Sequence, residues 1–377
     1  MYWKINDLRV QTFLFSVICD RAPNGGPWRQ FQCTACEGYF PEHHGTIFHG
    51  KQVAVERLVH VLACLAEGLG IRATARVFEV APNTVLAWLV EAAEHLRAFS
   101  RSFLCDVHVE QWQLDELYAV LRDLKAGAIS DDEAIERLER SRDWVWTAMD
   151  PTSKLLVGVD VGTRTLAMAQ RVVHQITRVL TPGCVPLFLT DGLKDYGTAL
   201  LTHCGQWMQP ARRRDKGPLP KPRWVPIPAL LYAQVVKSYR RRRMGGVTHR
   251  VVFGTRWAIE QILARCGWTI NTAFVERLNL DIRQRVAAIG RRVNTLCQGE
   301  AGLRDQLVLF QTYHNCVVPH ASLRQPLLIP EPTHGSGSAK QWRPRTPAMA
   351  AGLTDHVWTL KEVLMFRVPP WPQPRTV

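Results

Sequence analysis

The sequence has no long apolar run. The longest near the N-terminus, TFLFSVIC at 12–19, falls far short of the roughly 20 residues that cross a bilayer. No membrane insertion is expected. That run follows polar KINDLR and no small-residue cleavage site trails it, so no secretory leader is expected either. Acidic charge is scarce: 33 Asp and Glu stand against 47 Lys and Arg, a net charge of +14. An excess of this size favours a polyanionic partner, nucleic acid or an acidic membrane surface; mere solubility is the plainer alternative. Closely spaced cysteines are few as well. The ten cysteines are scattered, with one CxxC at Cys33 and Cys36. That is not a secreted disulfide framework and fits a reducing cytosol. Internal repeats are lacking.

At 377 residues, 46% hydrophobic and 21% charged, the chain has a globular composition and length for two or three domains. Residues 1–50 show little periodicity and are rich in Gly, Pro, Cys and His. From Val53 three apolar-periodic helices are expected, at 53–67, 72–79 and 82–98. Gly68 and Gly70 separate the first two. Ala81-Pro82-Asn83 separates the last two, and Pro82 is tolerated at a helix start. A short helix, a tight turn and a helix opening on small polar residues outline a helix-turn-helix over 51–102. Asn83, Thr84 and Trp88 would lie on its exposed face. An ordinary three-helix bundle satisfies the same pattern.

Residues 103–290 alternate between strand and helix patterns. Strands are expected in LCDVHVEQWQLDELYAV (104–120), WVWTAMD (144–150), LLVGVDVG (155–162), VPLFLTDG (185–192) and HRVVFG (249–254). An amphipathic helix is expected at 165–180, and 121–143 reads as a charged helical insertion. Residues 205–250 read as a basic, proline-rich loop. Its Lys237, Arg240, Arg241 and Arg242, interleaved with Trp207, Trp224, Tyr232 and Tyr239, are candidates for phosphate contact and base stacking. A solvated loop is the alternative. The tail 325–377 is irregular, with a last helix at 355–364.

The helix in NTAFVERLNLDIRQRV (271–286) carries Phe274, Val275, Leu278 and Ile282 on one side. Arg277 and Asp281 are spaced for a surface ion pair. Glu276 is different: its neighbours three and four residues away are Thr272, Ala273, Asn279 and Leu280, none of them basic. Two further acids stand at strand ends. Asp115 lies where the alternation of 104–120 stops, and Asp191 ends LFLTDG. An acid at such an edge suits a ligand site, although TDG also suits a plain turn. Carboxylates there suit Mg²⁺ or Mn²⁺, and three of them could hold two ions for phosphodiester chemistry. Glu116, Asp160 and Asp195 lie close by in sequence and are set aside as decoys.

LDELY, FLTDGLKDYG and NTAFVERLNLDIRQR, in that order, resemble the DDE transposases of bacterial insertion sequences, in particular the first-numbered insertion-sequence family. NT-x-x-x-ER-x-N-x-x-x-R is the most specific match. YHNCVVPHASLR (313–324) resembles the segment that follows the catalytic glutamate in such recombinases; there His320 reads as structural. The resemblance covers about 104–324. It implies an α/β catalytic domain over 103–324 with a ribonuclease-H-like fold, a mixed central sheet flanked by helices. It implies a triad of Asp115, Asp191 and Glu276 holding two Mg²⁺ or Mn²⁺ ions. Arg283, two turns below Glu276 on the same face, would contact DNA. The family also carries an N-terminal zinc ribbon. Here Cys33 and Cys36 supply one knuckle for Zn²⁺, Cys19 is the one cysteine upstream, and His43, His44 or His49 would complete the ligands of a zinc-ribbon-like remnant over 1–50.

The expected activity is metal-dependent cleavage and strand transfer at terminal inverted repeats. The expected partners are the double-stranded DNA of transposon ends and target, with a homo-oligomer synapsing paired ends. The expected location is the prokaryotic cytoplasm, at the nucleoid. A nuclease of the same fold without strand transfer, and a DNA-binding regulator with an inactive core, are the alternatives.

Overall fold

The computed structural model describes residues 15–19, 29–33, 38–119, 143–212, 219–240, 243–289, 297, 299–333 and 337–368. The chain divides into two compact units: Met1–Cys64, Ile71–Ser102 and Trp358–Val377 form one, and Leu65–Gly70 with Phe103–Val357 the other.

The first unit opens with an antiparallel sheet of β1 (Phe15–Cys19), β2 (Gln30–Cys33) and β3 (Tyr39–Pro41). Helices α1 (Val55–Ala66), α2 (Ile71–Val77) and α3 (Pro82–Phe103) follow. They bury Leu58, Val61, Leu62, Val85, Leu89, Leu96 and Phe99. The turn between α2 and α3 holds Glu79 at φ 51°, a left-handed conformation that glycine adopts with less strain. Trp88, expected on the exposed face, is buried instead. It sits one helical turn after Val85 and so shares its inward side. The C-terminal helix α10 (Leu360–Met365) belongs to the same unit. His95 Nε2 lies 3.0 Å from the carbonyl of Val363, and Phe99 meets the rings of Trp358 and Phe366 edge-on.

The second unit is built on a six-stranded mixed sheet in the order β11-β10-β7-β4-β5-β6. Its strands are β4 (Gln111–Tyr118), β5 (Trp144–Met149), β6 (Leu156–Gly162), β7 (Leu187–Thr190), β10 (Leu231–Arg240) and β11 (Arg243–Phe253). β4, β5 and β6 run antiparallel in sequence order. β7 then joins the other side of β4 in parallel, and β10 joins β7 in parallel. The connection from β6 to β7 contains α4 (Leu166–Val179), and α5 (Asp195–Cys204) follows β7, the crossovers that parallel neighbours require. This sheet flanked by helices is compatible with the expected ribonuclease-H-like core.

Alternation along β4 and β5 sets the two faces. Leu117 and Val145 pair across the strands and pack with Val275, Leu278 and Ile282 of α7 (Ala273–Arg285) and with Leu303, Leu307 and Phe310 of α8 (Glu300–Thr312). Trp146 points to the other face and meets Tyr196 of α5. Farther along the sheet, Leu189, Ala233 and Val235 are covered by Ile259 and Leu263 of α6 (Arg256–Arg265). Asn315, just beyond α8, pins the start of β6: its Oδ1 accepts from Leu156 N at 2.9 Å and its Nδ2 donates to Leu156 O at 2.7 Å.

The stretch 205–250 is not one long loop: most of its described residues lie in strands. It holds the small hairpin of β8 (Gly205–Met208) and β9 (Arg223–Pro226), followed by β10 and β11. LYAQVV carries the buried half of β10 into the sheet, and the basic run KSYR is the strand's continuation. A second two-stranded ribbon, β12 (Gln325–Glu331) with β13 (Lys340–Arg343), and the short α9 (Pro347–Ala350) occupy part of the tail expected to be irregular. Of the expected insertion 121–143, all but Asp143 lies outside the described residues. No helix among the described residues is long and apolar enough to cross a membrane.

Candidate metal centre

Two neighbouring parallel strands set the site. β4 and β7 are in register from Gln111 opposite Leu187 to Leu114 opposite Thr190. The next step along each strand brings Asp115 beside Asp191, at the usual inter-strand spacing of about 4.8 Å. Glu276 enters from the first turn of α7, which packs on β4 and β5. Asp115, Asp191 and Glu276 line one open pocket with Arg164, Lys194, Asp195 and Lys237. The structure thus brings the three sequence-expected acids to one place.

Each acid is held differently. Asn279 on α7 donates from Nδ2 to Asp115 Oδ2 at 2.9 Å, and the Glu116 amide donates to Asp115 Oδ1 at 2.9 Å. Thr147 Oγ1 shares its proton between the Asp115 carbonyl at 3.1 Å and Asn279 Oδ1 at 3.2 Å. Asp191 accepts from the Leu193 amide at 2.9 Å through Oδ1, a local turn that aims its other oxygen at the pocket. Glu276 Oε1 accepts from Thr272 Oγ1 at 2.6 Å and pairs with Lys237 of β10. The cation missing from Glu276's own helix is supplied by a strand.

Glu116, set aside as a decoy in sequence, belongs to the cluster. Asp115, Glu116 and Asp191 each offer an oxygen within 4.8 Å of the others, a group spaced to hold a metal ion. Asp115 faces α7 and Glu116 the opposite side of the sheet, where it pairs with Trp146. Arg164, in the bend between β6 and α4, joins them: Nη2 lies 2.9 Å from Glu116 Oε2 and 3.0 Å from Asp191 Oδ2. Burial, with Asp191 alongside, raises the Asp115 carboxyl to about 7 and Glu116 to about 8. Crowded acids in a partly dry pocket resist ionisation until positive charge arrives. Carboxylate oxygens suit Mg²⁺ or Mn²⁺ by hardness, so the donor set fits such an ion. The sequence carried a signal for Glu116: it shares strand parity with Trp112 and Leu114, an acid on an apolar face. Asn279 and Arg164 left none of that clarity.

The other candidates are dispersed. Asp160 is buried in an ion-pair network with Arg171 at 2.7 Å and Arg304 at 3.0 Å, an anchor for α4 and α8. Arg277 and Asp281 line a second pocket with His320, Lys154 and Trp268, and the surface ion pair expected between them is not formed. His320 Nδ1 accepts from Ser322 N at 3.3 Å, in keeping with a structural histidine. Arg283 is half-buried on α7; Asn83 is exposed and Thr84 half-buried in the first turn of α3. Arg240 ends β10, while Arg241 and Arg242 lie outside the described residues. Cys36 also lies outside them. The register sets Cys19 opposite Gln30 and Cys33 opposite Phe15, at opposite ends of the β1–β2 hairpin. His43, His44 and His49 cluster by their rings.

No protein-family model matches this chain, and no curated protein matches it. Four solved chains do match. One is "Crystal structure of the Mos1 Strand Transfer Complex", 15% identical over 41% of this chain and 57% of that chain, with a TM-score of 0.16. The match thus spans little more than half of that chain, and a superposition at that score carries no argument. The fold rests on the strand order, and the candidate site on its own geometry.

Proposed function

We propose that this chain is a DDE-type transposase that cleaves and joins DNA by divalent-metal-dependent phosphodiester chemistry. The observation that supports it best is the meeting of Asp115 and Asp191 on adjacent parallel strands with Glu276 lining the same pocket. In this reading the three acids hold Mg²⁺ or Mn²⁺. When bound, the ions would polarise the scissile phosphate and stabilise the charge that develops on attacking and leaving oxygens. Asn279 fixes the Asp115 carboxylate and the Leu193 amide fixes that of Asp191. Thr272 and Lys237 hold Glu276. Water attacks the phosphodiester at the end of the element and breaks its P–O3′ bond; the freed 3′-hydroxyl then attacks a target phosphodiester in line and displaces the target's own 3′-oxygen as a hydroxyl.

The net charge of +14 suits duplex DNA. Asn83 and Thr84 at the opening of α3 would read the terminal repeat as the second helix of a helix-turn-helix. Arg283 and the basic strand end at Lys237, Arg240, Arg241 and Arg242 would contact phosphate. Two ends must be held together, so the working form is a homo-oligomer. Zn²⁺ at the N-terminus, in this reading, rests on Cys19, Cys33, Cys36 and the nearby histidines. The deciding experiment gives purified protein a pre-cut element end and a supercoiled plasmid with Mg²⁺. End joining is expected; cleavage without joining points to a nuclease, and binding without either to a regulator.

A further inference from the structure

Arg164 stands where positive charge is most needed. Its Nη2 touches both Glu116 Oε2 and Asp191 Oδ2, and its Nε donates to the same Glu116 oxygen at 3.1 Å. Glu116 and Asp191 belong, with Asp115, to the one group of acids with metal-ligand spacing among the described residues. The arginine leaves the group incompletely satisfied. The Glu116 side chain is 1% exposed, and it meets the fully buried hydroxyl of Tyr196, but neither Oε1 nor that hydroxyl closes a hydrogen bond of normal geometry. A buried polar atom without a well-formed hydrogen bond is costly. One planar guanidinium reaches one edge of Glu116 and one oxygen of Asp191, whereas a hard divalent ion gathers six or more oxygens around itself.

We propose that Glu116 is a further ligand of the divalent ion bound by Asp115 and Asp191, and that Arg164 is the counter-cation it exchanges for that ion. The inference rests on the metal-dependent reading above. Arg164 cannot vacate the site by losing its proton, so it leaves by swinging out. Its position permits this: the side chain is 37% exposed, lies in an exposed bend, and rests on the Trp144 ring with Cζ 5.0 Å from the centroid. Swung outward, it stays on the rim of the pocket that Lys194 and Lys237 also line, placed to meet a phosphate.

Mn²⁺ titration of the full chain, followed by calorimetry and electron paramagnetic resonance, tests this without reference to activity. Removing one cation a few ångströms from the ion makes Arg164→Gln bind Mn²⁺ roughly tenfold tighter. Arg164→Lys keeps the charge and stays near wild-type affinity. Losing a ligand makes Glu116→Gln bind about ten- to a hundredfold more weakly. The same loss must appear in the Arg164→Gln background, where no guanidinium competes. If Glu116→Gln does not fold, Glu116→Asp, one methylene shorter, is expected to weaken binding as well. Wild-type protein that binds Mn²⁺ while Arg164→Gln binds no tighter, or while Glu116→Gln changes nothing in that background, overturns the inference and leaves the metal-dependent reading standing. Folded wild-type protein that binds no Mn²⁺ overturns both.

Discussion

Lys237 on β10 and Glu276 on α7 form an ion pair across the pocket, 39 residues apart in the chain. Both side chains are partly exposed, at 31% and 41%. The pair joins the strand that carries the basic run to the helix that carries the third acid. It positions Glu276 more than it stabilises the fold. A double-mutant cycle on Lys237→Met and Glu276→Gln, read by urea denaturation, should give a coupling under about 1 kcal/mol, as for other solvent-reached pairs. A coupling of several kcal/mol would mean that the pair is a structural anchor.

Asn279 is the opposite case. It is buried, and it links Asp115 to Thr147 through both ends of its amide. Asn279→Ala leaves buried polar atoms without partners and should cost about 1–3 kcal/mol of stability. It should also lower metal affinity by loosening the Asp115 carboxylate. Unchanged stability and unchanged Mn²⁺ affinity would remove Asn279 from the site.

These two contacts mark what the sequence makes legible. Asp115 and Asp191 stand out because each closes a patterned run, and Glu276 because its helix offers it no partner. Their adjacency is not legible, since the parallel register of β4 and β7 is a tertiary fact about segments far apart in the chain. β10 is hidden because RWVPIP before it and the basic KSYR at its end mask the short apolar stretch LYAQVV. Glu116 is passed over because one of two consecutive acids on a strand must point away from the other, and Arg164 reaches around to join the two sides.

The raised carboxylates set a pH dependence. Asp115 near 7 and Glu116 near 8 lie above their ordinary 3.8 and 4.5. The folded state therefore binds their protons more tightly. The stability they contribute is complete at low pH and is lost as pH rises through 7 and 8. Buried His314, pushed down to about 4 from 6.5, acts in the opposite direction below pH 6.5. Lys154, pushed down to about 8 by burial, does so above pH 8. Between pH 6.5 and 8 the melting temperature of chelator-treated protein should fall, and Mg²⁺ should remove the decline. A flat or rising melting temperature across that window contradicts the arrangement of the acids.

Charge makes a separate prediction about DNA. Each phosphate neutralised adds about 0.9 to the slope of log affinity against log salt. Replacing Arg240, Arg241 and Arg242 together by Gln should therefore flatten the slope by about 2–3 if all three meet the backbone. An unchanged slope, measured by filter binding or anisotropy, removes this run from the DNA surface.

The central claim is that Asp115, Asp191 and Glu276 act together on a phosphodiester through a divalent ion. The most direct measurement compares Mg²⁺-dependent cleavage of DNA bearing the element's ends by wild-type protein and Asp191→Asn, with DNA affinity measured beside it. The account predicts that cleavage falls by on the order of a thousandfold, since the ion supplies several kcal/mol of charge stabilisation, while DNA binding persists. Cleavage by Asp191→Asn at the wild-type rate would contradict it.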